Sequence, residues 1–368
     1  MKRVLFVIPT LTNGGAERVA SIIANALCKQ YEVRFFLLEQ DSQIGYELES
    51  IIKVQSAKVH VQKRGNKLRA IYCYFKNFFS QYALLKNDIS EYAPDVVVSF
   101  LPKADMLTYW AKRKMNFKWI SSERNDPSER TMIERFALAH IYKKTDGFVC
   151  QSNVVAKYYK TKGVKNCTVI PNPKNNGVVL NENVPYDNFA IAVGRFDYQK
   201  NYKMLIKAFV KAVQNVGCKT KLIILGDGPL YKENLKLVNQ LNASNQVVLL
   251  GRKHNVGDYL RKASFFVMSS NYEGMPNALI EAMDAGLPVI CTDFYSGTAR
   301  ELITEKNGYL VTVGDEVSMT KSIEKMLVFS YAELKEMGLF SKKKVAHMSL
   351  NSVCNQWNSF LMNVSLSK

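Results

Sequence analysis

Two glutamates, Glu273 and Glu281, flank the start of a short predicted helix. Pro276 fits the first helical position and Gly286 fits a left-handed C-terminal stop, so the pattern predicts a helix of about ten residues. Glu273 then lies in the loop before the helix, and Glu281 lies inside it. One carboxylate therefore precedes the helix, and the other lies about one and a half turns inside it.

The surroundings of this loop suit a ligand site. Apolar runs at 265–268 and 287–290 predict a strand on each side, which makes a strand, loop, helix, strand unit of an α/β sheet. Open α/β sheets bind ligands at the carboxyl ends of their strands, and free N–H groups at a helix start favour phosphate. By itself the pattern fits two solvated charges on an ordinary helix equally well, because glutamate favours helices.

Two cations follow another predicted strand of the same half. Arg195 and Lys200 come after the apolar run at 191–194 and flank a turn into a helix at 201–213. Two fixed cations, one capable of bidentate contact, suit a diphosphate. The alternative is that both are basic residues of an exposed loop. The glycine pair in 226–228 adds little, because turns use glycine widely.

The N-terminal half shows the same alternation. A strand at 4–8, a glycine turn at 14–15, a helix at 16–29 and a strand at 32–38 predict a β-α-β unit with a glycine-rich first loop. The Gly-x-Gly-x-x-Gly spacing of dinucleotide-binding proteins is absent, which argues against NAD. Predicted strands at 95–100, 118–121 and 147–150 end in polar loops that should share one edge.

The length of 368 residues predicts two domains, and the polar stretch around 173–188 is the best linker. We therefore predict an α/β protein with two Rossmann-like, doubly wound domains. A final amphipathic helix needs a surface on which to bury its apolar face. The predicted segments are an N-terminal domain at 1–172, the linker, a C-terminal domain at 189–350, and the closing helix at 351–368.

The net charge of +18 predicts acidic partners: nucleic acid, anionic lipid or phosphate-bearing substrates. Residues 63–86 predict a basic helix with aromatic residues at helical spacing, which suits a membrane surface or a lipid-linked acceptor. The alternative is that the aromatic side chains belong to the core.

The seven cysteines are scattered, which favours reduced thiols, and the four dispersed histidines do not have the spacing of metal ligands. No apolar run is long enough to span a bilayer, so we expect a cytoplasmic protein on the inner face of the cell membrane.

Several motifs occur in order along the chain. They are Gly-Arg-Phe-x-x-x-Lys-Asn at 194–201, Leu-Gly-Asp-Gly-Pro at 225–229, Val-x-Leu-Leu-Gly at 247–251, Glu-Gly-x-Pro-Asn-x-Leu-x-Glu-Ala-Met at 273–283, Gly-Gly-Ala-Glu-Arg at 14–18, Ser-Glu-Arg-Asn-Asp-Pro at 122–127 and Ile-Pro-Asn-Pro at 170–173. With these motifs the sequence resembles the retaining nucleotide-sugar glycosyltransferases of family 4, of the bacterial surface-glycan type. That family has the GT-B fold, in which two domains face each other across a cleft and the C-terminal helix crosses back to the N-terminal domain.

The resemblance implies that the domain at 1–172 binds the acceptor and that the domain at 189–350 binds the nucleotide-sugar donor. It also implies roles for individual residues. Arg195 and Lys200 would hold the donor diphosphate and stabilise the leaving group, Glu273 would face the donor sugar, and Glu281 would bind the ribose. Glu273, Arg195 and Lys200 are the implied catalytic residues. The implied donor site comprises Gly15, Gly194, Arg195, Lys200, Gly251, Arg252, Glu273, Gly274, Met275, Pro276, Asn277 and Glu281.

Two residue patterns found in other glycosyltransferases are absent from this sequence. The Asp-x-Asp metal motif is absent, so the resemblance implies a reaction with no cofactor and no divalent metal. Many relatives have a histidine in the loop matching 99–105, whereas this chain has none. Lys103, or Glu123, Arg124 and Asn125, would then position the substrates.

Three functions remain open from the sequence. The first is transfer of a hexose or N-acetylhexosamine from a nucleoside diphosphate sugar, with uridine favoured, to a lipid-linked or polysaccharide acceptor. The second is a nucleotide-sugar epimerase of the same fold. The third, a nucleic-acid-binding protein, has only the charge in its favour, and no recognition motif of that class is visible, so we predict no nucleic-acid partner.

Overall fold

The structure is a computed structural model that describes residues 1–12, 14–39, 44–57, 67–174 and 183–366. The chain forms two compact units. Unit 1 comprises Met1–Pro173 and Asn351–Lys368, and unit 2 comprises Lys174–Leu350. Part of the predicted linker, residues 175–182, and the first residues of the predicted basic helix, 63–66, lie outside the described residues.

Unit 1 is built on a seven-stranded parallel sheet of order β3-β2-β1-β4-β5-β6-β7. Its elements are β1 (Arg3–Ile8), α1 (Gly15–Leu27), β2 (Glu32–Leu37), β3 (Lys53–Ser56), α2 (Lys67–Tyr92), β4 (Val96–Phe100), α3 (Pro102–Lys112), β5 (Lys118–Ser122), α4 (Met132–Tyr142), β6 (Gly147–Cys150), α5 (Asn153–Thr161) and β7 (Cys167–Val169), with a short 3-10 turn at Pro127–Glu129.

Unit 2 is built on a six-stranded parallel sheet of order β10-β9-β8-β11-β12-β13. Its elements are β8 (Ala190–Val193), α6 (Tyr202–Val216), β9 (Leu222–Leu225), α7 (Tyr231–Gln240), β10 (Val247–Gly251), α8 (Val256–Lys262), β11 (Phe265–Met268), α9 (Asn277–Asp284), β12 (Val289–Thr292), α10 (Thr298–Leu302), β13 (Gly308–Val311), α11 (Glu316–Val328) and α12 (Tyr331–Lys344), with a 3-10 turn at Ala346–Met348.

The last helix, α13 (Leu350–Leu366), belongs to unit 1. Its residues Val353, Trp357, Leu361 and Val364 are completely buried in the core formed by β1 and its neighbours. The Trp357 ring stacks on Phe100 with ring centroids 6.2 Å apart. The predicted return of the closing helix to the N-terminal domain is therefore confirmed.

The buried face of helix α2 is not the face that carries the regularly spaced aromatic residues Tyr72, Phe75 and Phe79. Phe78, Leu85 and Ile89 pack on the sheet. Tyr72 and Phe79 are 67% and 61% exposed, and Phe75 is also exposed. The alternative that these three aromatics belong to the core is therefore wrong, because a neighbouring stripe of the same helix fills that place.

Candidate active site

The strand order of unit 2 reverses between β8 and β11, which lie side by side in the sheet. Open α/β sheets bind ligands in the crevice outside the carboxyl ends of two such strands. The loop at 194–201 follows β8, and the loop at 269–276 follows β11. The arginine and lysine motif and the glutamate motif therefore meet at the place where this type of sheet holds a ligand.

Hydrogen bonds tie these two loops to one another. The Ser269 hydroxyl donates to the Lys200 carbonyl at 2.7 Å. The Asn271 backbone N–H donates to the Gln199 carbonyl at 2.7 Å, and its side-chain amide donates to the Tyr198 carbonyl at the same distance. The loops form one unit of backbone, so the side chains that they carry are held in a fixed relation.

Lys200 and Glu273 form an ion pair at this junction, with Lys200 Nζ 2.6 Å from Glu273 Oε1. Their side chains are only 15% and 10% exposed, so water screens the pair weakly. Ser270 Oγ donates to the same carboxylate oxygen at 2.8 Å, and Gln199 Nε2 donates to Oε2 at 3.0 Å. Three donors thus orient the Glu273 carboxylate.

Arg195 stands at the outside of the same loop and is 71% exposed. Its Nε lies 2.7 Å from Asp197 Oδ2, and Asp197 Oδ1 accepts the Lys200 backbone N–H at 3.1 Å. Asp197 therefore holds both the arginine side chain and the backbone of the lysine.

Glycine is required where the loops after β8 and β9 approach each other. A Cβ on Gly226 would lie 1.8 Å from the Gly194 carbonyl oxygen, and a Cβ on Gly194 would lie 2.6 Å from Lys200 Cε. The lysine stem therefore passes directly over Gly194. Both glycines also have positive φ angles.

Helix α9 begins one residue later than the sequence predicts, because Pro276 is its N-cap and not its first helical residue. Asn277 opens the helix, Glu281 lies half-buried within it, and Gly286 has the predicted left-handed conformation with φ of 84°. Before the helix, the Gly274 carbonyl accepts hydrogen bonds from Ser296 and Thr298, each at 3.0 Å. Met275 beside it is buried.

The end of β10 lies on the other side of β9. The Gly251 carbonyl accepts the Gly226 N–H at 2.9 Å, and the φ of Gly251 is 69°. Arg252, the next residue, is exposed. These two residues extend the row of strand ends that starts with Glu273.

In unit 1, α1 begins at Gly15, which is exposed. The carboxylate of Glu17 accepts the Gly14 N–H at 2.6 Å and hydrogen bonds from the hydroxyls of Thr10 and Thr12. An acidic group from the helix itself thus occupies part of the helix start that contains Gly15, which the resemblance includes in the donor site.

Glu123 organises the loop after β5 from inside unit 1. Its oxygens accept two bonds from Arg130, at 2.5 and 2.8 Å, and one from Tyr159 OH at 3.0 Å. The backbone N–H groups of Arg124 and Asn125 also donate to it, both at 3.1 Å. Burial alone would raise the pKa of Glu123, but Arg130 holds it below its usual value.

Arg124 is likewise enclosed. Its guanidinium lies 5.6 Å from the ring centroids of both Phe100 and Trp357, and Nη1 donates to Asn172 Oδ1 at 2.9 Å. Burial lowers its pKa to about 9. Of the four acceptor-side candidates, Glu123 and Arg124 are therefore buried, while Asn125 and Lys103 are partly exposed. Lys103 pairs with Glu39 at 3.0 Å.

Comparisons with known proteins agree with this geometry. Residues 13–175 match the family model described as Glycosyltransferase Family 4, and residues 181–337 match the model described as Glycosyl transferases group 1. A Campylobacter jejuni protein, GalNAc-alpha-(1->4)-GalNAc-alpha-(1->3)-diNAcBac-PP-undecaprenol alpha-1,4-N-acetyl-D-galactosaminyltransferase, is 30% identical over 99% of both chains. The chain belongs to glycosyltransferase family 4.

Solved structures show the fold of this glycosyltransferase. A sucrose-phosphate synthase from Thermosynechococcus elongatus superposes with a TM-score of 0.83 over 99% of both chains at 17% identity. The Anabaena protein HepE, in complex with UDP and glucose, has a TM-score of 0.75 over 99% of this chain and 100% of its own, at 16% identity. The predicted GT-B class with parallel α/β sheets is confirmed. The relatives of this glycosyltransferase include enzymes of bacterial glycan biosynthesis.

In the part of the chain that the structure describes, no helix combines the length and the apolar character that crossing a bilayer requires. No group of three or more histidine, cysteine, aspartate or glutamate side chains there could hold a metal ion. Independence from metal remains a prediction.

Sequence reasoning did not assign several side chains that hold the site of the glycosyltransferase, among them Asp197, Gln199, Ser270 and Thr298. Gln199 and Asp197 lie inside the motif at 194–201, so their position in it was the available signal. Ser270 and Thr298 carry no such signal. Their roles depend on which strand ends are neighbours in the folded sheet.

Proposed function

We propose that this glycosyltransferase transfers a hexose or N-acetylhexosamine from a UDP-sugar to a lipid-linked or polysaccharide acceptor, with retention at the anomeric carbon and without a divalent metal. The observation that carries the proposal is the Lys200 and Glu273 pair at the switch point between β8 and β11. It places a weakly screened cation and a fixed carboxylate where a donor would lie. HepE, which shares the fold, binds UDP and glucose.

Each residue of the site then has a separate role in the reaction. Lys200 and Arg195 stabilise the negative charge that develops on the departing diphosphate, which is usually the largest electrostatic contribution. Glu273 accepts hydrogen bonds from hydroxyls of the transferred sugar, and Glu281 accepts them from the ribose. Asp197 keeps Arg195 at the mouth of the site until a diphosphate replaces it as the partner.

Bond formation and cleavage occur on the same face of the sugar. The bond from the anomeric carbon to the diphosphate oxygen breaks, and a bond to the acceptor oxygen forms. The acceptor hydroxyl proton passes to the departing phosphate oxygen, so UDP leaves with that proton. The cations of the site fill the role that a divalent metal has in other transferases.

The acceptor side of the proposal rests on unit 1. Helix α2 exposes Tyr72, Phe75 and Phe79, with Lys76 and Lys86 exposed on the same helix. Aromatic and basic residues together suit the interface of an anionic membrane. We place the enzyme peripherally on the inner face of the cell membrane, where a lipid-linked acceptor would be anchored. The name of the Campylobacter relative describes an undecaprenol-linked substrate.

A thermal-shift panel of nucleoside diphosphate sugars tests the donor. A ligand that binds only the native state raises the melting temperature, with a stabilisation of about 2.7 kcal/mol at a concentration near 100 Kd. We expect UDP-sugars and UDP to raise it, and UMP to raise it less, because Arg195 and Lys200 would bind the diphosphate. A shift with guanosine or adenosine donors and none with uridine donors would contradict the assignment of the nucleotide.

A further inference from the structure

Two cysteines on neighbouring strands of unit 1 bring their sulfur atoms into contact. Cys150 ends β6 and Cys167 begins β7, and the register of these parallel strands places Cys167 beside Phe148, two residues before Cys150. Residues two apart on a strand point to the same face of the sheet, so both thiols lie on one face. Their Sγ atoms are 3.8 Å apart, and both cysteines are free thiols.

A small movement of β7 would close this contact to a disulfide. An S–S bond is about 2.05 Å long, so the two sulfurs must approach by a little under about 2 Å. Strand β7 is the last strand of the sheet, has three residues and pairs with β6. All three of its residues are only partly buried. A short strand at the edge of a sheet is displaced more easily than a central strand, because a central strand is hydrogen-bonded on both sides.

The two thiols differ in exposure and in acidity. Cys167 is partly exposed, whereas Cys150 is completely buried. The hydrogen bond between the two sulfurs lowers the pKa of Cys167 and raises the pKa of Cys150. Lys160 on α5 also lowers the pKa of Cys167. Because thiolates react with oxidants and reactive cysteines are partly exposed near a cation, Cys167 is the sulfur that an oxidant attacks first.

We propose that Cys150 and Cys167 are a redox-sensitive dithiol that a peroxide converts to an intramolecular disulfide. The Cys167 thiolate attacks one oxygen of the peroxide, the O–O bond breaks, and Cys167 becomes a sulfenic acid while the other oxygen leaves and takes up a proton. The Cys150 sulfur then attacks the Cys167 sulfur. An S–S bond forms, the S–O bond breaks, and water leaves with the Cys150 thiol proton. The two sulfurs thus lose two electrons, which reduce the peroxide, and an external thiol reverses the step by exchange.

The position of the pair connects it to the loop after β5. The Ile170 N–H donates to the Cys150 carbonyl at 3.0 Å, so the chain beyond β7 is held by the same cysteine. Asn172 Oδ1 accepts hydrogen bonds from Gln151 Nε2 at 2.7 Å and from Arg124 Nη1 at 2.9 Å. A displacement of β7 towards Cys150 therefore moves the oxygen that holds the buried Arg124 guanidinium.

Peptide mapping of the full-length protein tests the pair directly. After brief treatment with hydrogen peroxide and denaturation in an alkylating reagent, the protein should have two fewer reactive thiols than its seven in the reduced state. Four lysines lie between the two cysteines, so trypsin separates their peptides, and mass spectrometry should show them joined until dithiothreitol is added.

Three variants identify the reacting sulfurs. Cys167→Ser should prevent the joined peptides, and Cys150→Ser should leave a sulfenic acid at Cys167 that dimedone traps. Cys218→Ser, at a similarly half-buried thiol of unit 2, is the matched control and should retain the joined peptides. Absence of joined peptides in the unaltered protein would overturn the proposal, and so would cysteines joined between two chains.

The rate of sugar transfer tests the consequence for Arg124, which rests on the predicted role of the loop at 123–125 in positioning the substrates. Oxidation should lower kcat/KM roughly tenfold, the cost of weakening one hydrogen bond to a charged group. Dithiothreitol should restore the rate, and Cys167→Ser should be insensitive to peroxide. An unchanged rate in protein with fully joined peptides would contradict the link to Arg124, whereas the peptide map does not depend on the transfer reaction.

Discussion

Lys200→Ala is expected to lower kcat/KM by roughly 10²–10³-fold, the usual loss when one fixed donor to a developing negative charge is removed. The Lys200 side chain is only 15% exposed, and hydrogen bonds from Ser269 to the Lys200 carbonyl and from Asn271 to the Gln199 carbonyl hold the loop in place. A preorganised and poorly hydrated cation contributes more to the transition state than a mobile surface one. Most of the loss should therefore appear in kcat.

Lys203→Ala is the matched control, since Lys203 is exposed on the first turn of α6, three residues beyond Lys200. We expect initial rates with this variant to equal those of the unaltered enzyme. Lys203→Ala should melt at the temperature of the unaltered enzyme, whereas Lys200→Ala should melt at a lower temperature, because it leaves the largely buried Glu273 carboxylate without its cation. A Lys200→Ala enzyme with normal kcat/KM would remove the leaving-group role that we assign to this residue.

Glu273→Gln is expected to cost roughly 10²-fold in kcat, comparable to the loss of one oriented polar group in a site of this type. The substitution keeps the volume of the side chain but removes the negative charge that faces Lys200 at 2.6 Å. An amide can accept through its oxygen only, so it cannot satisfy Lys200, Ser270 and Gln199 as the carboxylate does. The lysine then loses the orientation that the transition state requires.

The coupling between these two residues gives a sharper readout than either change alone. Residues in direct contact are non-additive, so Lys200→Ala combined with Glu273→Gln should lose less than the product of the single effects. Gln199→Ala should lower the rate by roughly tenfold, since it removes one of the donors to Glu273. Glu336→Gln, at an exposed acid on α12, is the control. Strictly multiplicative losses would mean that Lys200 and Glu273 act independently.

The sequence was sufficient to predict the unit around α9. Proline and glycine have positional meanings that do not depend on the rest of the chain, so Pro276 and Gly286 mark the helix to within one residue. The alternation of strands and helices likewise predicted both parallel sheets. The family resemblance implied that Lys200 and Glu273 serve one donor site, and the structure places the two side chains 2.6 Å apart.

Other parts of the site required the folded sheet. Gln199 reaches Glu273 only because β8 and β11 are neighbours in the sheet. The order of strands in a sheet cannot be predicted from the local spacing of residues in the sequence. In unit 1, the polar residues Glu123 and Arg124 were predicted at a substrate-facing loop, but an internal network encloses both. Burial of charged residues depends on partners such as Arg130 and Asn172, which spacing cannot reveal.

Helix α2 shows the same limit for apolar patterns. It carries two aromatic stripes, one with Phe78 and one with Phe75 and Phe79. Periodicity predicts a helix with an apolar face but does not select between adjacent stripes, because both have the same spacing. Only the packing against β1 and its neighbours shows that Phe78 lies inside and that Phe75 and Phe79 lie outside.

The configuration of the product tests the central claim most directly. The enzyme would be incubated with a UDP-α-sugar and a lipid-linked acceptor in the presence of a chelator, and the new linkage would be read by NMR. We expect release of UDP and an α-linked product, with the sugar of the donor unchanged when the acceptor is left out. A β-linked product, or a donor epimerised in the absence of acceptor, would contradict the account.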